Sequence, residues 1–125
     1  SFRPFAPSIL QDKCGEWFVT KYENDNNVPH MTKVYKIKES KRDLIPAVCH
    51  VDGTGRLQTV SEYENKRYFQ LINKFFIKTN VPMLLNTSFN ENEPIVCKSK
   101  EALDCFFRTK MDILVVGDFI LQKIL

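Results

Sequence analysis

Residues 45–60 read IPAVCHVDGTGRLQTV, and the reading of this stretch decides the fold. Asp52-Gly53-Thr54-Gly55 is turn material, because Asp bonds the backbone two residues on and Gly tolerates positive φ. Apolar runs flank it at 44–51 and 57–60, so the stretch predicts a buried strand, a turn and a second, shorter strand. A plain hairpin has no need of His50, Asp52, Thr54, Arg56, Gln58 and Thr59 around so small a turn. That many hydrogen-bonding groups with one fixed cation among them point to an anion. Arg holds a phosphate or carboxylate bidentately and does not lose its proton.

Outward from the turn, Tyr35 and Ile37 alternate with Lys36 and Lys38, which predicts a strand over 31–38 with one wet face. Residues 62–79 carry a helical stripe of Tyr68, Leu71, Ile72, Phe75, Phe76 and Thr79, closed by Asn80 and Pro82. Met83-Leu84-Leu85 reads as a central strand that stops at Asn86-Thr87-Ser88-Phe89-Asn90. A second helix is expected from Ser99 as N-cap, with Glu101 in its first turn, burying Leu103, Phe106 and Phe107. Residues 113–116 and 119–125 read as strands around Gly117-Asp118. At the other end, Pro4 and Pro7 break 1–8 into an irregular lead-in, 9–22 lacks a decisive period, and 24–27 is a polar loop. Strands before, between and after two helices make an α/β (α+β) fold, a mixed sheet with helices packed on it.

A chain of 125 residues is one domain, 1–125, with ten Phe to build its core. Its apolar runs fall well short of a membrane span. The absence of an initial Met points to a fragment of a longer protein. The net charge of +3 comes from scattered basic residues rather than the stripe that nucleic acid demands. Lys36, Lys38, Lys41 and Arg42 are the one local cluster; Glu39 and Asp43 dilute it, and it reads as solvated surface. Four Cys, at 14, 49, 97 and 105, lack zinc-ligand spacing, so no metal site is expected, and free thiols fit the cytoplasm.

Three polar clusters then stand beside elements that should be buried: Arg3 in RPFAPS, the turn with Arg56, and Asn86, Ser88 and Asn90 in NTSFN. Each has a plainer reading alone, as a surface arginine, an ordinary turn and a capped loop. Backbone amides of the turn and short amide or hydroxyl side chains can complete an anion cradle, with Gly53 and Gly55 admitting the ligand close to the main chain. Cys49-His50 is poorly placed as a nucleophile and base, because adjacent strand residues face opposite ways. His50 can serve as a hydrogen-bonding pocket residue or as a general base.

RPFAPSIL, IPAVCHVDGTGRLQTV and LLNTSFNENEPIV, in that order, resemble the C-terminal domain of the NodU/CmcH-type O-carbamoyltransferases, and EALDCFFRTKMDILVVGDFILQK resembles that family's close. The resemblance covers essentially the whole chain. It implies a twisted, YrdC-like mixed sheet with an open, positively lined cleft. It also implies that this domain takes carbamoyl phosphate and ATP to carbamoyl-adenylate, releasing pyrophosphate. It further implies a preceding ASKHA-type domain that carries iron or another metal and passes the carbamoyl group to a small-molecule hydroxyl, with Mg²⁺ travelling with ATP.

On that reading Arg3 and Arg56 hold phosphate oxygens, His50 and Asp52 orient substrate or the Arg56 fork, and Thr54, Gln58, Asn86, Ser88 and Asn90 line the substrate and nucleotide site. The alternatives are a non-catalytic module binding a nucleotide or phosphometabolite, and an RNA-associated module. Asn92 stands where the family has Gly before Glu-Pro, so a positive φ is expected there.

Overall fold

The structure is a computed structural model that describes residues 4–20, 28 and 33–124. Its chain divides into two units, Ser1–Thr87 and Ser88–Leu125. Strand β1, Ala6–Leu10, is the axis of the first unit, and four of its five residues are buried. A 3₁₀ turn at Gln11–Lys13, a single helical turn α1 at Cys14–Trp17 and β2 at Phe18–Val19 follow. The chain continues through β3, Val34–Ile37, two 3₁₀ segments at Glu39–Leu44 and Pro46–Val48, β4 at Thr54–Arg56, β5 at Gln58–Val60, helix α2 at Lys66–Thr79 and β6 at Met83–Asn86.

These strands form two small sheets instead of the single sheet expected. One is mixed, ordered β5-β1-β6, with β1 parallel to β5 (Ile9 opposite Thr59) and antiparallel to β6 (Ser8 opposite Leu84). The other is antiparallel, ordered β2-β3-β4. Only Leu57, which is fully buried, separates β4 from β5, so the chain changes sheet at one residue. Ile9, Trp17, Phe18, Ile37, Val48, Leu57 and Met83 fill one core shared by both sheets.

The run 44–51 is not a strand. Pro46 has no N–H for a ladder and opens a 3₁₀ turn, and Ile45 and Val48 are buried three residues apart. Three is the 3₁₀ repeat, not the strand's two. The hairpin expected between that run and the next is therefore replaced by β3 pairing with β4, Tyr35 opposite Gly55. Likewise β6 is an edge strand rather than the central one, with Leu85 half exposed. The loop at 24–27 and positions 31–32 lie outside the described residues.

Helix α2 begins at Lys66, later than the apolar pattern implies, because Asn65 caps it by accepting the Tyr68 N–H at 3.2 Å. It ends at Asn80, whose φ of 60° is the left-handed conformation that Asn tolerates at a helix terminus. Ile72, Tyr68, Phe69 and Phe76 pack on Leu10, Val60 and Leu84 of the mixed sheet. Leu71 and Phe75 of the expected stripe stay exposed, since three strands offer only a narrow bed.

The second unit holds helix α3, Ser99–Arg108, and the hairpin β7, Ile113–Val116, with β8, Phe119–Gln122. Ser99 is the first helical residue and not the cap; the N-cap is Lys98, and the Glu101 carboxylate accepts the Cys97 N–H at 3.3 Å instead. Ala102 and Phe106 bury against Leu114, while Phe107, one step round the helix, is exposed. No described helix is long and apolar enough to cross a membrane. All four cysteines are free thiols, with Cys14 and Cys105 buried. Replacing Asn65 by Ala should lower stability by about 1 kcal/mol, read from a shifted urea midpoint at constant slope.

Candidate functional site

The turn at 50–54 is built from its own polar groups. The Gly53 N–H donates to the His50 carbonyl at 2.9 Å, and the His50 N–H donates to the Thr54 carbonyl at 2.7 Å. Asp52 closes it: one carboxylate oxygen accepts both the Thr54 N–H at 3.0 Å and the Thr54 hydroxyl at 2.6 Å. These bonds, helped by nearby His50, hold the Asp52 carboxyl below its usual range. So Asp52 binds its own turn in this structure and not the Arg56 fork.

At both glycines the space that a side chain would take is already filled. Gly53 has a φ of 78°, and a Cβ there would lie 2.5 Å from Cζ of Arg42. The Arg42 Nε donates to the Ile37 carbonyl at 3.2 Å, which holds its guanidinium beside the turn. At Gly55 a Cβ would meet the Val48 carbonyl oxygen at 2.8 Å. The protein itself takes both spaces, one with a cation that the sequence leaves as solvated surface. Lys41 of the same cluster lies 4.7 Å from the Trp17 ring.

Register shows what the turn presents. Arg56 stands opposite Val34, and Thr54 opposite Lys36. Directly opposed and alternate strand residues share a face, so Lys36, Thr54 and Arg56 lie together on the open side of the β2-β3-β4 sheet. Phe18 and Ile37 line the buried side. Among the described residues neither the Lys36 nor the Arg56 side chain makes a hydrogen bond or ion pair. Lys36 reads from the sequence as solvated surface, because only the pairing of β3 with β4 sets it beside Arg56.

His50 and Asp52, with Pro4, Cys49 and Val51, line an open cavity of about 570 Å³. The Phe5 N–H donates to the Ala47 carbonyl at 3.0 Å, tying the N-terminal arm to this segment. Two of the three motifs thus meet here, although Arg3 itself lies outside the described residues. The Cys49 thiol donates to the His50 carbonyl at 3.3 Å and not to the imidazole, which leaves no nucleophile–base pair.

Asn86 is held from two sides. Its amide nitrogen donates to the Ser8 hydroxyl at 2.7 Å, and its amide oxygen lies 2.9 Å from Ser8 Oγ and accepts the Tyr68 hydroxyl at 3.1 Å. Ser8 is almost fully buried, and Gln58 sits beside it across the β1–β5 pair. Asn86 therefore binds β6 to β1 and α2.

Ser88 and Asn90 belong to the second unit, where Ser88 is exposed and Asn90 donates to the Glu93 carbonyl at 2.8 Å. Asn92 does not adopt positive φ; its N–H donates to the Glu93 carboxylate at 2.9 Å. Among the described residues no three His, Cys, Asp or Glu side chains gather as metal ligands.

With this geometry in view, comparison with known proteins places the chain in a class. Residues 1–123 match the family model described as "Carbamoyltransferase C-terminus", and the chain belongs to that family. Among curated relatives it is 48% identical over 123 residues to Nodulation protein NolNO of Sinorhizobium fredii, covering 98% of this chain and 18% of that protein. It is 45% identical over 124 residues to Nodulation protein NolO of Bradyrhizobium diazoefficiens, covering 98% of this chain and 22% of that protein. Nodulation protein U of Azorhizobium caulinodans matches 71% of the chain at 37% identity, over 15% of its own length. The chain thus spans about a fifth of the first two relatives, at 18% and 22%.

Because hydrogen bonds lower the Asp52 pKa, the turn should persist above the usual aspartate range and loosen only as pH falls through the lowered value. In an NMR titration the Thr54 amide resonance should shift with a midpoint below that of an ordinary aspartate. Thr54→Val should move the midpoint back up; a wild-type midpoint at the ordinary value would contradict the assignment. Tyr68→Phe, which removes one bond to Asn86, should cost about 0.5–1.5 kcal/mol in denaturant unfolding.

Proposed function

We propose that this chain is the part of an O-carbamoyltransferase that binds carbamoyl phosphate and ATP and forms carbamoyl-adenylate. The observation that carries the proposal is the pair of unengaged cations, Lys36 and Arg56, on an open sheet face beside a turn already locked by Asp52 and Arg42. Membership of the carbamoyltransferase C-terminus family supplies the reaction class.

Atom balance fixes the steps. Water takes carbamoyl phosphate to carbamate and orthophosphate. A carbamate oxygen then attacks the α-phosphorus of ATP, and the bond to the leaving pyrophosphate breaks. Little covalent work falls to the protein, which must hold two mutually repelling polyanions in line and stabilise the charge that develops. Arg56, with Arg3 from the arm, is assigned to phosphate oxygens. His50 orients substrate from the cavity wall, and Asp52 acts through the turn that presents Arg56. Thr54 and Gln58 serve as neutral partners; Asn86 sets the exit of β6.

Mg²⁺ enters with ATP as part of the substrate. Transfer to a small-molecule hydroxyl is assigned to a further, ASKHA-type region corresponding to the part of the relatives that this chain does not span. Any iron or other resident metal belongs there, and the whole is placed in the cytoplasm.

Two measurements test the proposal. Given carbamoyl phosphate and ATP, the chain should release pyrophosphate only when both are present and form no carbamate ester on an added acceptor alcohol. Binding without pyrophosphate release would leave a nucleotide- or phosphometabolite-binding module, and steeply salt-dependent RNA binding would favour an RNA-associated one. Arg56→Lys keeps the charge but loses the planar fork. A charged hydrogen bond contributes about 1.5–3 kcal/mol, so calorimetry should find carbamoyl phosphate bound about tenfold to a hundredfold more weakly. The exposed side chain predicts an unchanged melting point. Unchanged affinity with a lowered melting point would make Arg56 a structural residue instead.

A further inference from the structure

We infer that Thr54 is a specificity-determining residue whose hydroxyl oxygen, held by Asp52 as an acceptor, reads the amino group of carbamoyl phosphate; this rests on the function proposed above and deepens it. Asp52 Oδ1 accepts the Thr54 hydroxyl at 2.6 Å and the Thr54 N–H at 3.0 Å. An ionised carboxylate can only accept, so the proton of the shorter contact comes from Thr54. The same bonds hold the Asp52 carboxyl below its usual range, so it is ionised at neutral pH. A hydroxyl has one proton and two lone pairs. With the proton committed, Thr54 Oγ takes a further partner only if that partner donates.

Strand pairing supplies the second half of the argument. Val19 stands opposite Lys36, Lys36 opposite Thr54, and Val34 opposite Arg56, so these five side chains share the open face of the sheet. Val19 and Val34 are apolar, and Lys36 and Arg56 are cations that only donate. Thr54 Oγ is the one acceptor among them, and no described residue other than Asp52 bonds it. Phosphate oxygens, which only accept, are therefore drawn to Lys36 and Arg56 and find no donor at Thr54. The ligand that matches this face carries a phosphate at one end and an N–H donor a few bonds away, as carbamoyl phosphate does. Arg56 lies two residues along the strand from Thr54, about 6.6 Å, so one small molecule and an arginine side chain span the gap. Acetyl phosphate has a methyl group where carbamoyl phosphate has its amino group, and it offers Thr54 nothing.

Calorimetric titration with carbamoyl phosphate and with acetyl phosphate separates this role from simple support of the turn. The wild-type chain should favour carbamoyl phosphate by about threefold to tenfold, the contribution of one hydrogen bond. Thr54→Val keeps the shape but cannot accept, so it should weaken carbamoyl phosphate by that factor and leave acetyl phosphate within about twofold. Thr54→Ser should keep the preference. Asp52→Asn retains an oxygen for the Thr54 hydroxyl but puts a donor in place of the other carboxylate oxygen. A preference kept in Asp52→Asn assigns the contact to Thr54; a preference lost there assigns it to the carboxylate and overturns the inference. Support of the turn alone would weaken both ligands equally in Thr54→Val, with the ratio unchanged, and would also overturn it. So would a Thr54→Val chain that loses affinity for ATP but not for carbamoyl phosphate. Circular dichroism checks that each variant is folded. A wild-type chain that binds both acyl phosphates equally would sink this inference alone, whereas one that does not bind carbamoyl phosphate would remove the proposed function with it.

Discussion

Burial of Leu57 is the constraint on which the first unit depends. A small sheet must bury its apolar face against another element, and this unit contains two three-stranded sheets. They are viable because one core, from Ile9 through Phe18, Ile37 and Val48 to Met83, serves both, and Leu57 is the point at which the chain crosses between them. One residue is a very short corner. It forces β4 to end at Arg56 and β5 to begin at Gln58, and so fixes which polar side chains end on which sheet. The open face of Lys36, Thr54 and Arg56 follows from how the core is closed.

Much of this was legible in the sequence, but unevenly. The α2 stripe, the strand near 31–38 and the last hairpin follow from spacing, because each buries side chains at the repeat of its own backbone. The stretch 44–51 misleads because its apolar content is that of a strand while its buried residues, Ile45 and Val48, stand three apart. Pro46 decides between the two. Phe107 misleads differently: its hydrophobicity suits a core, but α3 presents Ala102, Cys105 and Phe106 inward with Leu103 partly buried beside them, and Phe107 falls on the exposed side. Division into separate small sheets was not legible, since it depends on pairings made across the chain.

The candidate site shows a sharper limit, which concerns charge. The sequence contains many cations and does not say which are already engaged. Arg42 looks like a diluted surface cluster and is pinned on Gly53 by the Ile37 carbonyl. Lys36, from the same cluster, is left on the open face beside Arg56. Asp52 looks like a partner for Arg56 and is used by Thr54. What remains unengaged on the open face after the turn has satisfied itself is Lys36 and Arg56.

The two units hold their loops by different physics. In the first, the turn at 50–54 rests on a large shared core and on short, local bonds among Asp52, Thr54 and His50, which salt barely affects. The second has a smaller buried cluster, Ala102, Phe106 and Leu114, with hydrophobic neighbours that are only partly covered. A core of that size can anchor the ends of the loop from Ser88 to Lys98 but not its middle. The middle is shaped by Glu93, whose carboxylate collects two backbone amides and an arginine. Its order is electrostatic, and it is therefore exposed to the ionic conditions in which the protein works.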